Sequence, residues 1–115
     1  MMPDHIKVTP APGAWIIRCG DTEIGRSSAV LTLTEGSYPP ALYVPRADID
    51  MARLQKADRV TRCPWKGLCS YYTVQTGDNP MPNAVWSYED PIEGMEIIAG
   101  HLSFYTDRGC TVSQA

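Results

Sequence analysis

No stretch of this 115-residue chain approaches the roughly 20 consecutive apolar residues of a membrane-crossing helix. The opening "MMPDHIKVTPAPG" lacks the charged-then-apolar pattern of a secretory leader. A cytoplasmic setting, in which thiols stay reduced, is therefore expected. Positive charge is scarce as well. Ten Lys and Arg face thirteen Asp and Glu, for a net charge of −3. The lack of a basic stripe argues against a dedicated binder of DNA or RNA, although one local Arg or Lys can still serve a phosphate. Neither a Walker-type loop nor a GxGxxG is present.

Metal ligands are few. A structural zinc site needs two close Cys or His pairs, because a short loop lets both members reach one tetrahedral ion. Of the four cysteines only Cys63 and Cys69 are near neighbours, and the five residues between them exceed a knuckle. Of the two histidines, His5 lies in the N-terminal segment and His101 at the start of a strand. No metal and no cofactor are expected, and all four cysteines read as reduced, mostly buried thiols. A cysteine nucleophile would need a base to lower its pKa. Cys69 has Arg62 and Lys66 near it in sequence, and nothing in the spacing orients them.

What is present points to a single β domain. At this length folding buries roughly two-thirds of the unfolded surface, enough for a core without covalent staples. Pro3, Pro10, Pro12 and Gly13 oppose regular structure, so residues 1–13 are expected to form a flexible arm and 14–115 the domain. "AWIIRCG", "TEIGRSS", "AVLTLTE", "ALYVP", "LCSYYTVQT", "NAVWSY", "HLSFYT" and "CTV" read as strands. Turn signals such as "GD", "GSYPP", "GDNP" and "DRG" separate them. "RADIDMARLQKA" predicts one short helix or 3₁₀ turn capped by Asp48, and "EDPIEGMEIIAG" at most another. About eight short antiparallel strands with one or two helical turns make the fold mainly β, a sandwich or open barrel.

The residues with most chemical content surround "TRCPWKGLCSYYTV". Arg62 and Lys66 flank aromatics that recur on three neighbouring strands, among them Trp65, Tyr71, Trp86 and Tyr105. Tyr and Trp supply apolar walls with polar tips, and a cation at the rim holds an anion. Strand alternation requires Tyr71 and Tyr72 to face opposite ways, and likewise Phe104 and Tyr105. Pro64 and Gly67 would hold Trp65 and Lys66 at a set angle. The plain alternative for each aromatic is core packing. A second chemistry is Mg²⁺-dependent nucleotidyl transfer. Asp48 and Asp50, two apart, would share a strand face, with "GRSS" upstream.

"YPPALYVPRADIDM", "RCPWKGLCSYYTV", "NAVWSYEDP" and "IAGHLSFYTDR", in that order from about Trp15 to Arg108, resemble an uncharacterised bacterial family, domain of unknown function four-twenty-seven. That family also carries a nucleotidyltransferase label. It is similar to the β-tent fold, in which two antiparallel sheets lean together over a pocket. Relatives of that shape carry zinc knuckles and, in methionine-R-sulfoxide reductases, a catalytic cysteine. With no CxxC in this chain, neither is carried over. The resemblance places Arg62, Trp65, Lys66, Tyr71, Trp86 and His101 near an aromatic cleft. The expected function is binding of a small anionic or planar metabolite, with enzymatic activity left open and Tyr71, His101 and Lys66 as candidate proton-transfer groups. A non-catalytic protein-interaction module is the rival of a different class. No partner macromolecule or oligomeric state is legible.

Overall fold

The computed structural model describes residues 2–77 and 79–115, so Asp78 of the expected "GDNP" turn lies outside the described residues. Among the described residues there are ten strands: β1 (Ile6–Pro10), β2 (Trp15–Cys19), β3 (Thr22–Ser27), β4 (Leu31–Glu35), β5 (Ala41–Tyr43), β6 (Leu54–Cys63), β7 (Gly67–Val74), β8 (Met81–Ser87), β9 (Ser103–Phe104) and β10 (Cys110–Gln114). All pairings are antiparallel, as expected of a mainly β chain. Where two sheets were expected, three form, ordered β1-β4-β5, β10-β2-β3 and β6-β7-β8-β9. A bridge between Val44 and Leu102 links the first to the third, and the Ser103 hydroxyl donates to the Leu42 carbonyl, 2.6 Å, alongside it.

Alternation on β7 explains how the layers stack. Cys69 and Tyr71 point into one core with Ile6, Leu33, Tyr43 and Tyr88. Tyr72 and Val74 point into another with Ile17, Ile24, Val85 and Phe104. A strand buried on both faces has apolar or aromatic residues at successive positions, and "CSYYTV" does. Tyr71 and Tyr72 therefore do part company, as do Phe104 and Tyr105. Each such ring contributes about 1.5–3 kcal/mol through burial.

Two strands were not foreseen. β1 replaces the expected flexible arm: its five residues pair in register with β4, and Ile6 is buried. Prolines are tolerated because this is an edge strand. β6 is also an edge, and its "LQKADRVTRC" carries charge at positions that a central strand would fill with apolar groups. Its pairing with β7 slips between Lys56 and Val60, a bulge that bends the edge. "RADIDMARLQKA" forms two 3₁₀ turns, Arg46–Asp48 and Met51–Arg53, before Leu54 opens β6. Asp50, not Asp48, caps the second turn by accepting from the Ala52 N–H at 3.2 Å.

The expectation of four reduced thiols is corrected. Register places Cys19 opposite Cys110, Cα atoms 4.0 Å apart, and the two form a disulfide with both residues wholly buried. Cys63 and Cys69 are free.

Candidate functional site

The turn between β6 and β7 decides the site. The Lys66 N–H donates to the Cys63 carbonyl, and Gly67 takes φ +111°, a left-handed conformation that side chains oppose. A Cβ there would also sit 3.2 Å from the Ile92 nitrogen, whose N–H donates to the Lys66 carbonyl. This geometry sends consecutive residues opposite ways. Trp65 is 47% exposed, and Lys66, only 7% exposed, turns inward. Its ammonium lies 2.5 Å from the Glu35 carboxylate at the end of β4 and 5.7 Å from the centre of the Tyr88 ring. The other Glu35 oxygen lies 3.8 Å from His5 Nε2, and the His5 ring meets Trp65 edge-on at 4.8 Å.

Above this pair opens a cleft of about 630 Å³ between the β1-β4-β5 sheet and the β6–β9 sheet. Tyr43, Tyr71 and Tyr88 lie at its base, and Trp86 and Tyr105 form one wall with rings 4.5 Å apart. Hydrogen bonds fix the rings: Trp86 Nε1 donates to the Tyr43 hydroxyl at 3.2 Å, and the Tyr71 and Thr61 hydroxyls are 2.8 Å apart. Cations already cover two outer ring faces, Arg59 over Tyr71 at 5.0 Å and Arg108 over Tyr105 at 4.2 Å. Burial pushes the Tyr43 and Tyr88 phenols up, and burial with the neighbouring Tyr71 takes Tyr105 to about 12. These tyrosines are neutral at physiological pH, serving as hydrogen-bond partners rather than bases. Burial also raises the Cys69 thiol, which opposes thiolate chemistry there.

Five of the six residues placed near a cleft by sequence line this one: Arg62, Trp65, Lys66, Tyr71 and Trp86. His101 does not. It precedes β9, with its Nδ1 3.2 Å from the Ala99 carbonyl and its own carbonyl accepting from Ser87 Oγ at 2.7 Å. Glu35 and His5 were missed. A signal for Glu35 existed: period-two alternation puts it on the inward face of Leu31 and Leu33, and an inward carboxylate requires a cation. His5 had none, because the prolines after it hid β1.

The carboxylates of the transferase reading do not converge. Asp48 accepts from Ser27 Oγ at 2.6 Å while Asp50 caps its own turn. Among the described residues no group of three His, Cys, Asp or Glu stands close enough to hold a metal ion.

A second charged cluster lies outside the cleft. Glu89 accepts from Lys56 Nζ at 2.6 Å, from Arg46 Nη2 at 2.8 Å and from the Tyr72 hydroxyl. Burial alone would raise its pKa. The bonds from Lys56 and Tyr72, with the charges of Lys56 and Arg46, outweigh it and hold the carboxyl at about 2, against an ordinary 4.5. A folded-state pKa below the unfolded one stabilises the fold above the unfolded value and is lost as pH falls through the folded value. Glu89→Gln is therefore expected to lower stability near neutral pH and to flatten its decline between about pH 5 and pH 2, where the two proteins converge. Denaturant unfolding across that range checks it; parallel pH profiles would show that the cluster is not the acid-sensitive element.

The model of a family described as "Domain of unknown function (DUF427)" matches residues 7–113. No curated protein matches the chain. Among the described residues no helix is long and apolar enough to cross a membrane.

Proposed function

We propose, for a chain that belongs to the DUF427 family, that the cleft binds a small anionic or planar metabolite. The observation that carries this reading is an inward lysine at the base of an open, ring-walled cleft. Glu35 neutralises Lys66, and Arg62 at the rim adds positive charge, so the cleft favours an anion over a cation. With Arg59 and Arg108 already seated on two of its rings, a cationic ligand would meet repulsion as well. Trp65, half-exposed at the lip, offers a flat apolar face to a planar group. Should chemistry occur, Lys66 with Glu35 and the Tyr71–Thr61 hydroxyl pair are the groups able to exchange protons with a ligand. The cytoplasmic setting belongs to the same proposal, and the Cys19–Cys110 bond is compatible with it only because both residues are wholly buried and shielded from thiol exchange.

A thermal-shift screen of planar carboxylates, phosphorylated metabolites and nucleotides, with and without Mg²⁺, tests the reading. A ligand at a hundred times its Kd adds about 2.7 kcal/mol of apparent stability. Arg62 and Trp65 are exposed, so Arg62→Ala and Trp65→Ala should leave the unliganded midpoint nearly unchanged and remove most of that gain. A gain untouched by both substitutions would place the ligand elsewhere. A screen without any hit would favour an interaction module.

A further inference from the structure

Beside the cleft lies a second hollow of about 530 Å³, more enclosed than the first. The two meet along a shared ridge, where Trp86 and Tyr105 stand with Tyr38, Pro39 and Ala41. Beyond the ridge the lining changes character. Pro40, Leu42, Phe104 and Val112 replace the polar groups of the cleft, and among the described residues that line it Asp107 alone is charged. Tyr38 is 74% exposed on the ridge, an aromatic held in water by the rigid Pro39–Pro40 segment.

We propose that the two hollows form one groove and that its ligand is an amphiphile, with an anionic head in the Arg62–Lys66 cleft and an apolar tail across the Trp86–Tyr105 ridge. This deepens the reading given under Proposed function and rests on it. Charge sets the direction. Arg62 and the Lys66–Glu35 pair leave the first hollow net positive, whereas at the second Asp107 is offset by Arg108 on the Tyr105 ring, so an anionic head gains more in the first. Carbon-rich walls in the second hollow give a polar extension nothing to bond, while a hydrocarbon tail leaves water there. A polyphosphate fits less well, since Glu35 would face its additional charge.

The test is calorimetric titration of the intact protein, at constant ionic strength and below micelle formation, with butyrate, hexanoate, octanoate and benzoate. Octylammonium serves as the control of opposite head charge. Each methylene that leaves water tightens binding by about fourfold, so affinity should climb steeply from butyrate to octanoate, and octylammonium should bind far more weakly than octanoate. Val112→Asp should abolish the climb and leave benzoate binding intact. Thr106→Trp, an exposed position that fills the same hollow, should do likewise if the first variant fails to fold. Arg62→Ala should weaken benzoate and octanoate alike. If benzoate binds and the fatty acids show no dependence on length, or the dependence survives in both hollow-filling variants, the amphiphile proposal falls and the cleft reading stands. If benzoate and the whole fatty-acid series all fail to bind, the amphiphile proposal falls, and the cleft reading is then decided by the phosphorylated metabolites and nucleotides of the thermal-shift screen.

Discussion

Replacing Cys19 and Cys110 together by alanine is expected to lower the thermal midpoint by about 10–20 °C. The disulfide closes a loop with a sequence separation of 91. In the chain-entropy account a loop of that size contributes roughly 3–5 kcal/mol by restricting the unfolded ensemble. For a domain of this length each kcal/mol moves the midpoint by about 4 °C. The bond also joins β10, the last strand, to β2, on a strand pair whose other β10 residues are mostly exposed. Without it, β10 depends on backbone pairing and on the partly buried Val112. Calorimetry of the double variant measures the loss. Thiol titration in denaturant without reductant should find two reactive groups, Cys63 and Cys69. Four would show that the pair is not bonded.

Lys66→Ala is expected to cost about 3 kcal/mol, the second large effect. Removing one member of a buried ion pair leaves the other charged and short of partners, typically at 3–5 kcal/mol. The side chains here are 8% and 20% exposed, so the lower end applies. Among the described residues, His5 at 3.8 Å is the only other side chain in an ion-pair contact with Glu35, and it is a cation only when protonated. The double change Lys66→Met with Glu35→Met is expected to recover most of the loss, since replacing both charges by apolar groups removes the unpaired carboxylate. Urea unfolding of the two single variants and the double supplies the coupling energy. Additive losses would mean that the contact does not tie β4 to the β6–β7 turn. A consequence for binding experiments is that Lys66 is a poor probe of ligand contact, because its removal disturbs the cleft itself. The exposed Arg62 and Trp65 are the better probes.

Much of the site was legible. "PWKG" announced a tight turn, and Gly67 proves to need its positive φ. The alternation of "CSYYTV" and "SFYT" sorted Tyr71 from Tyr72 and Phe104 from Tyr105 before any tertiary contact was considered, and the two cores follow that sorting. Errors gathered where a segment's fate depends on its neighbour. β1 and β6 are edge strands with proline or charge in them, and pairing with β4 and β7 overrides their weak propensity. The family resemblance places His101 near the pocket, but it precedes β9, and its contacts are with the Ala99 carbonyl and Ser87 rather than with the cleft.

Sequence by itself determined the mainly β class, most of the breaks between strands and the facing of the paired aromatic residues, because these follow from period-two alternation and turn chemistry within a few residues. Tertiary structure alone decided the rest. The partners Cys19 and Cys110 lie 91 residues apart, and Lys66 and Glu35 lie 31 apart. Glu89 gathers Lys56, Arg46 and Tyr72 from three different segments, and the second hollow appears only where β5, β8, β9 and β10 approach one another. Such meetings are set by strand register and sheet order. No local pattern encodes them, because loop closure costs almost the same free energy for many alternative partners and only the completed packing selects among them.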